Sequence, residues 1–198
     1  MKPVIIRTEG VTRCFPSGRE TIYALKNVSI SIKAGTLTIL RGRSGSGKTT
    51  LINLLGALDK PTSGKIYFNG NEITQMSEAR RDVLRQKEMG FVFQSIALIS
   101  MMSAYENVEF ALRVAGYNSG ERRKRAEECL AFVGLSKRMH HRPSELSGGE
   151  QQRVAIARAI AHRPRVVFAD EPTAELDTNT GLQVVKVFKN LVEKEGLT

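Results

Sequence analysis

The sequence predicts an α/β domain with a mainly parallel core sheet, an N-terminal antiparallel β subdomain and a helical insert. Three observations lead to this prediction. The first third alternates apolar and polar residues as strands do, the middle third spaces its apolar residues as helices do, and the apolar run Val166–Ala169 lies between two helical patterns. A run rich in β-branched residues between helices is typical of a strand buried inside a parallel sheet.

The N-terminal part of the chain supplies the predicted β subdomain and the first helix. Alternation predicts three strands, with Lys33-Ala34-Gly35 as the turn between the second and the third. A helical pattern follows a glycine-rich loop, and a further strand ends at the turn-forming pair Asn69-Gly70. The predicted elements are the strands Val4–Thr8, Val28–Ile32 and Thr36–Leu40, the helix Lys48–Leu58 and the strand Gly64–Asn69.

The rest of the chain predicts the helical insert and a return to the sheet. Apolar spacing near 3.6 residues predicts three helices in the insert, and one short strand separates the first of them from the others. No internal repeat or linker divides the sequence, so we expect a single domain over residues 1–198. The predicted elements are the helices Glu78–Arg85, Ala104–Ala115, Glu121–Phe132, Gly149–Ala161 and Asn179–Lys194, and the strands Gly90–Phe93 and Val166–Ala169.

Composition excludes several classes of protein. The 198 residues are 41% hydrophobic, and no apolar run approaches the roughly 18 residues of a membrane span, so neither a disordered tail nor an integral membrane protein is expected. The run Val4–Ile6 is too short for the core of a signal peptide, which predicts a cytoplasmic protein. Two cysteines are too few for a disulfide framework. The net charge of +10 leaves nucleic acid, an anionic membrane face and a phosphorylated small molecule open as partners.

The segment Gly42–Thr49 fits the pattern GxxxxGK[ST] between a predicted strand and a predicted helix. Glycines allow the backbone to curl so that successive N–H groups point at one spot, where the positive end of the helix dipole adds to them. Lys48 would supply a point charge to the β- and γ-phosphates, and the Thr49 hydroxyl could bind Mg²⁺. The segment is therefore predicted to bind a polyphosphate.

Two acidic residues follow the apolar strand Val166–Ala169. A site for polyphosphate needs a carboxylate that holds the metal, and Asp170 has the right place for that role, through a bridging water. Glu171 would polarise the attacking water as a general base. The alternative is a solvated acidic turn at the end of a core strand.

The segment Leu146–Arg153 opens the next predicted helix. Ser147 can cap the helix and Glu150 stands three residues later, which is a capping box that needs no further explanation. However, two consecutive glycines at a helix start are unfavourable unless something approaches the backbone closely. A helix start of this kind is a second anion site. One nucleotide does not need two anion sites in the same chain. If two chains face each other, however, one nucleotide can contact one such site on each chain.

With these three segments the sequence resembles the nucleotide-binding subunits of ABC transporters over nearly its whole length. Gly42–Thr49 matches Walker A, Leu146–Glu150 the LSGGE signature and Val166–Glu171 Walker B. The resemblance implies that Gln94 is the Q-loop glutamine, that Asp177 lies in the D-loop, which crosses to the opposite protomer, and that Phe15, or as second choice Tyr23, stacks on adenine. It further implies that about residues 94–139 form the helical subdomain.

The site residues predicted from the motifs and from this resemblance fall into three groups. Catalysis is assigned to Glu171, Gln94 and Lys48, and Mg²⁺ binding to Thr49, Gln94 and Asp170. The positions assigned to ATP are Phe15, Gly42, Arg43, Ser44, Gly45, Ser46, Gly47, Lys48, Thr49, Thr50, Ser147, Gly148, Gly149 and Glu150. Glu150 departs from the family pattern, because many members carry Gln there.

Within the family, the sequence resembles the lipoprotein-release and macrolide-efflux branch. The segments that carry this resemblance are Leu58–Gly64, Tyr105–Val108 and Arg142–Leu146. Family members continue beyond the last predicted helix into a strand and a switch histidine, so we expect this chain to be truncated. His140, His141 and His162 all precede Walker B, and the first two are expected to be exposed cations.

The resemblance implies an ATP-hydrolysing subunit that powers an integral membrane permease. It would work as a homodimer or with a paired ATPase subunit, peripheral on the inner face of the membrane, and ATP would lie in the dimer interface. The permease would dock near Ser95–Tyr105, although the apolar residues there could equally be core. These residues are Ile96, Leu98, Ile99, Met101 and Met102.

Two alternatives remain at this point. A soluble ABC ATPase acting on nucleic acid or ribosomes would use the charge of +10 and the basic run Glu121–Arg125. Such a run is usually a solvated helix face, so the sequence does not favour nucleic acid as a partner. A P-loop kinase or GTPase would leave Leu146–Arg153 without a role.

Overall fold

A computed structural model describes residues 2–18 and 20–198 of the chain. It divides into two compact units. The first comprises Met1–Arg85 and Glu195–Thr198, and the second comprises Gln86–Lys194. Most of the predicted β subdomain lies in the first unit. Of the three helices predicted for the insert, Glu78–Arg85 lies in the first unit, and Ala104–Ala115 and Glu121–Phe132 lie in the second.

The first unit is built on an antiparallel sheet. The long strand β1 pairs with β2, with β3 and with β4, and β4 pairs with β5. Ile6, Val11 and Ile66 are among the buried residues of this sheet. The predicted antiparallel subdomain is thus confirmed. Its strands are β1 (Val4–Ser17), β2 (Glu20–Val28), β3 (Ser31–Lys33), β4 (Ser63–Phe68) and β5 (Asn71–Glu72).

Two strand predictions in this unit are wrong. The predicted strand Thr36–Leu40 pairs with no strand among the residues that the structure describes. Its apolar positions Leu37 and Ile39 are 47% and 65% exposed, so no neighbouring element covers the face that alternation predicted. The predicted strand Val28–Ile32 is interrupted, because β2 ends at Val28 and β3 begins at Ser31.

Two helices accompany the sheet of the first unit. Helix α1 (Lys48–Leu55) buries Leu51, Leu54 and Leu55, whose spacing places them on one face. Helix α2 (Glu78–Glu88) carries Arg81, which is 4% exposed. The Arg81 guanidinium donates hydrogen bonds to the carbonyl oxygens of Ala57, at 2.6 Å, and Asp59, at 2.8 Å. A buried arginine on α2 therefore holds the segment that follows α1.

The second unit contains the parallel pairing and the helical insert. Strands β6 (Met89–Val92) and β7 (Val166–Ala169) run parallel, with Val92 opposite Ala169. In the described part of the chain this parallel sheet has two strands. The helices of the unit are α3 (Ala104–Val114), α4 (Ser119–Phe132), α5 (Gly148–Ile160) and α6 (Thr178–Glu195), and short 3-10 turns occupy Ser136–Arg138 and Pro143–Glu145.

Helix α5 forms the centre of the second unit. Its apolar residues Val154, Ile156 and Ala157 are fully buried. Arg125 of α4 donates hydrogen bonds to the carbonyl oxygens of Ala161, at 3.0 Å, and Ile160, at 3.3 Å. These bonds satisfy carbonyl groups that a helix end leaves without an intrahelical partner. The predicted helices of the insert are confirmed to within a few residues at each end. No helix among the described residues combines the length and the apolar character needed to cross a membrane.

Candidate functional site

The glycine-rich loop before α1 has a backbone that other residues could not adopt without strain. Gly45 and Gly47 have φ of +75° and +89°, in the left-handed region. A Cβ on Gly47 would lie 2.3 Å from the carbonyl oxygen of Ala24, and one on Gly42 would lie 2.5 Å from the Ser46 Oγ. The sequence therefore needs glycine here for two reasons, which are the turn itself and the close approach of β2.

Lys48 lies over this loop. Its Nζ donates hydrogen bonds to the carbonyl oxygens of Gly42, at 3.1 Å, and Arg43, at 3.2 Å. Residues Gly42–Ser46 and Thr49 are exposed, and Gly47, Lys48 and Thr50 are half-buried. The loop thus presents an ammonium group, exposed backbone and the positive end of α1 together, which is the combination that a polyphosphate requires.

The predicted metal and base residues follow the two parallel strands of the second unit. The backbone N–H of Asp170 donates to the carbonyl oxygen of Val92, at 2.9 Å, so the pairing of β6 with β7 continues one residue beyond the strand. Gln94 comes two residues after Val92. Because the carboxyl ends of parallel strands meet at one edge of a sheet, Gln94, Asp170 and Glu171 follow the strands at the same edge.

Glu171 has an unusual backbone conformation. Its φ is +45°, in the left-handed region that residues other than glycine seldom adopt, and its side chain is exposed. The carbonyl oxygen of Glu171 accepts a hydrogen bond from the N–H of Ala174, at 3.0 Å, which closes the turn. Strain of about 1–3 kcal/mol at such a position is typical of functional sites.

The start of α5 is a complete capping box. The Ser147 Oγ accepts a hydrogen bond from the N–H of Glu150, at 3.3 Å, and the Glu150 carboxylate accepts one from the N–H of Ser147, at 2.9 Å. The hydrogen bond from the Ser147 backbone is the main cause that holds the pKa of Glu150 below its ordinary value. Ser147 and Gly148 are exposed.

Gly149 has a different explanation from the one that the sequence suggested. A Cβ on this buried residue would lie 2.1 Å from the Cγ2 of Thr180 in α6. A Cβ on Gly148 would lie 3.6 Å from the Leu176 Cδ2, an ordinary contact. The close approach that requires glycine at position 149 therefore comes from this chain itself. A bound ligand is not needed to explain that glycine.

Comparison with known proteins finds matches over most of the chain. The ABC transporter family matches residues 25–174. A dimeric, post-hydrolysis structure of the ATP-binding cassette MJ0796, bound to ADP and Pi, superposes with a TM-score of 0.88, at 42% identity over 97% of this chain and 84% of that chain. The chain belongs to the ABC transporter family.

Three members of this family are similar over nearly the whole chain. The ABC transporter ATP-binding protein MJ0796 of Methanocaldococcus jannaschii is 46% identical over 98% of this chain and 84% of its own length. The lipoprotein-releasing system ATP-binding protein LolD 1 of Rhodospirillum rubrum is 44% identical over 100% and 87%. The macrolide export ATP-binding/permease protein MacB of Bartonella henselae is 42% identical over 98% of this chain but only 29% of its own length.

These relatives confirm the predicted fold class and the resemblance to the lipoprotein-release and macrolide-efflux branch. They also confirm the prediction of an ATP-hydrolysing transporter subunit that forms dimers, and they give no support to the soluble ATPase on nucleic acid or ribosomes. The roles of the individual residues remain predictions.

The two aromatic candidates for the adenine contact lie on opposite faces of the β1–β2 hairpin. Phe15 pairs with Ile22, whereas the adjacent Cys14 pairs with Tyr23. Because side chains alternate along a strand, Phe15 and Tyr23 point to different sides. Phe15 is 39% exposed, and the Arg13 guanidinium lies 4.6 Å from the centroid of its ring. Only one of the two aromatics can therefore face a given nucleotide.

In the segment Ser95–Tyr105, predicted to dock the permease, none of the five apolar residues named for docking is buried. Met101 is 83% exposed, Ile99 is exposed, and Ile96, Leu98 and Met102 are half-buried. The buried Asn107 of α3 holds this segment, since it accepts from the N–H of Ile99, at 2.8 Å, and donates to the carbonyl oxygens of Ile99, Met102 and Ser103. The apolar side chains are thus presented on a backbone that is fixed from behind.

Asp177 and the histidines have local structural partners. The Asp177 carboxylate accepts from the N–H groups of Asn179, at 3.0 Å, and Thr180, at 3.1 Å, and so caps α6. Hydrogen bonds from the Thr180 side chain and then its backbone lower the pKa of Asp177. His140 is exposed and His141 half-buried. Burial lowers the pKa of His162, whose Nε2 lies 3.0 Å from the Met89 carbonyl oxygen.

Sequence reasoning missed two residues that shape these regions. Arg158 of α5 donates to the carbonyl oxygen of Ala97, at 2.7 Å, which has a positive φ of 46° just beyond Gln94. Arg13 contacts Asp59, which is 46 residues away. Neither contact has a sequence signal, because each joins distant segments, although an arginine inside an apolar helix pattern such as that of α5 suggests a buried partner.

Proposed function

We propose that each chain of a dimer binds ATP on its glycine-rich loop Gly42–Thr49, and that the start of α5 of the opposite chain contacts the γ-phosphate. The whole chain would then be one ABC ATPase domain, with about residues 94–139 as its helical subdomain. The observation that supports the phosphate assignment most directly is the glycine loop at the start of α1, over which Lys48 lies.

The backbone of the loop, Lys48 and Phe15 have separate roles in this proposal. The backbone N–H groups of Gly42–Thr50 surround the phosphates, and Lys48 exchanges its two carbonyl partners for β- and γ-phosphate oxygens. That exchange strengthens the bond, since a charged acceptor replaces neutral ones. Phe15 stacks on the adenine ring and so adds a contact that does not depend on phosphate charge.

The proposed Mg²⁺ ligands are the Thr49 hydroxyl, the Gln94 amide and, through water, the Asp170 carboxylate. These oxygen donors fit a hard divalent cation, and Gln94 and Asp170 follow paired strands at one sheet edge. When bound, Mg²⁺ neutralises charge on the phosphates. Glu171 accepts a proton from the water that attacks the γ-phosphorus, and the bond from that phosphorus to the ADP oxygen breaks.

In this proposal the nucleotide is part of the interface between two chains. Ser147, Gly148, Gly149 and Glu150 of one protomer contact the γ-phosphate of ATP on the other. Hydrolysis separates that phosphate from ADP and removes the contact, so that binding closes the dimer and hydrolysis opens it. The structure of MJ0796 as a dimer with ADP and Pi supports this cycle in a relative.

We propose that the segment Ser95–Tyr105, in which Ile99 and Met101 are exposed, docks on an integral membrane permease, which would hold the chain at the inner face of the membrane. Its exposed methionine and isoleucine side chains offer an adaptable apolar surface. The permease in the printed name of MacB, and the lipoprotein-releasing system of LolD 1, support a membrane partner for relatives of this chain.

The dimer proposal is tested with Glu171→Gln, in which the general base is lost and ATP should persist. With ATP and Mg²⁺, this variant is expected to form a stable dimer, measured by size-exclusion chromatography with light scattering. Glu175→Gln, a neighbouring exposed carboxylate, is the matched control and should not accumulate a dimer. A Glu171→Gln protein that stays monomeric with ATP would contradict the proposal.

A second pair of variants separates the phosphate contact from the helix cap. Ser103→Ala removes an equivalent capping box on α3, where the Ser103 Oγ accepts from the N–H of Glu106. Both this change and Ser147→Ala should lower stability by about 1 kcal/mol. In the Glu171→Gln background only Ser147→Ala is expected to weaken the dimer. Equal effects of the two changes would show that Ser147 acts only as a cap.

A further inference from the structure

The side chain of Arg13 lies between an aromatic ring and a carboxylate. Its guanidinium carbon is 4.6 Å from the centroid of the Phe15 ring. Its Nη2 lies 3.1 Å and 2.9 Å from the two carboxylate oxygens of Asp59. The side chains of Arg13 and Asp59 are only 24% and 34% exposed, so the guanidinium is held in one place beside an exposed ring.

Asp59 is itself fixed by the core of the first unit. Its Oδ1 accepts from the N–H of Lys60, at 2.7 Å. Its carbonyl oxygen accepts from the buried Arg81, at 2.8 Å. A continuous series of contacts therefore leads from Arg81 through Asp59 and Arg13 to Phe15. Such a series restricts an otherwise exposed ring before any ligand arrives.

We propose that Arg13 is a positioning residue for base recognition. It covers one face of the Phe15 ring and leaves the opposite face to stack on the purine base of the nucleotide. The inference rests on the proposed function, in which Phe15 contacts adenine. A ring held in its bound orientation loses less conformational freedom on binding than a mobile one, and this raises affinity for the base.

The proposal predicts an effect confined to ligands that carry a base. Arg13→Leu in the full chain is expected to weaken ATP binding by roughly 3- to 10-fold, the range of one cation–π contact. Binding of inorganic tripolyphosphate, which has no base, should change by less than about 2-fold, within ordinary scatter for a single exposed site. Both affinities are measured by isothermal titration calorimetry.

The same strand offers a matched control. Arg7 lies 4.2 Å from the ring centroid of Tyr67 and forms an ion pair with Glu9. Arg7→Leu therefore removes a similar arginine–aromatic contact from β1 and should change neither affinity. Asp59→Asn leaves Arg13 in place but removes the charge that holds it. This variant should also weaken ATP binding, and it replaces Arg13→Leu in the test if that variant fails to fold.

A double mutant separates this inference from the proposed function. In a Phe15→Ala background, Arg13→Leu should have no further effect on ATP affinity, since Arg13 acts through the ring. If Phe15→Ala weakens ATP binding but Arg13→Leu does not, the inference is overturned while the proposed adenine contact stands. If Phe15→Ala itself leaves ATP affinity unchanged, that contact is wrong. An equal loss of tripolyphosphate affinity in Arg13→Leu would also overturn the inference.

Discussion

Two helices of this molecule begin in glycine-rich segments, and their first turns differ. Helix α1 begins after Gly47, which has a φ of +89° and no side chain that could cap the helix, and its first turn contains no acidic residue. Helix α5 begins after Ser147, which forms a full capping box with the carboxylate of Glu150. The first start adds a lysine to the positive end of the helix, whereas the second already carries a negative charge there.

This difference indicates which of the two helix starts binds a triphosphate in a single chain. An anion near α1 meets the positive helix end and Lys48. An anion near α5 meets the Glu150 carboxylate, whose pKa is lowered so that it stays charged. We therefore expect α1 to bind nucleotide in a single chain, and α5 to contribute only when a second chain brings its bound ATP to it.

The largest effect should come from Lys48→Ala. The change removes a charge-assisted bond worth about 1.5–3 kcal/mol, so ATP affinity of the single chain should fall roughly 10- to 150-fold. Calorimetric titration at a concentration where the chain is monomeric measures this. Lys60→Ala, an exposed lysine after α1, is the control and should bind normally. Unchanged affinity in Lys48→Ala would remove the distinction between α1 and α5.

Short motifs were the part of the site that the sequence could predict. Gly42–Thr49, Leu146–Glu150 and Val166–Glu171 each place their chemistry within a few residues, and β7 has the predicted bounds. Strand β2 was missed for a physical reason. Its pairing with β1 contains two register shifts, near Arg13, and its residues Ile22 and Tyr23 are exposed, so the alternation that marks a half-buried strand is lost.

Contacts between distant segments could not be predicted from the sequence. Asn107 and Arg158 hold the backbone of Ser95–Tyr105, and Thr180 explains Gly149. In each case the residue type is unremarkable by itself, and only the folded chain supplies its partner. The double glycine of the signature is an example. Glycine is required where a ligand approaches the backbone and also where a neighbouring helix does, so the sequence alone does not distinguish these two causes.

An intermediate effect is expected from Gly149→Ala, which tests why each segment needs glycine. The new Cβ would lie 2.1 Å from the Thr180 Cγ2, so we expect a loss of about 1–3 kcal/mol from overpacking, measured by urea unfolding. Gly45→Ala, before α1, has open space but a φ of +75°, and should cost about 1–2 kcal/mol through backbone strain alone.

Second-site changes distinguish these two causes. Thr180→Ser removes the Cγ2 and keeps the hydroxyl, so it should restore most of the stability lost in Gly149→Ala. Gly148→Ala, whose Cβ would make an ordinary contact with Leu176, is the matched control within α5 and should be tolerated. If Thr180→Ser gives no recovery, packing against α6 is not the reason for the glycine.

The smallest expected effect is a change of amide chemical shift at acidic pH. It measures most directly the difference in charge between the starts of α1 and α5. The pKa of Glu150 is lowered, chiefly because the Ser147 N–H donates to its carboxylate, so the bond favours the charged form. Its stabilising contribution is complete above the ordinary pKa of glutamate, about 4.3, and is lost as the pH falls through the lowered value.

In NMR titrations the Ser147 amide should therefore shift with a midpoint below that of a free glutamate, and Glu150→Gln should abolish the shift. The amides of Thr49 and Thr50 should not follow it, because the first turn of α1 holds no acid. The Ser103 amide, bonded to a Glu106 whose pKa is lowered by the same kind of contact, should behave like that of Ser147. A common midpoint for the amides of α1 and α5 would mean that the two helix starts do not differ in charge.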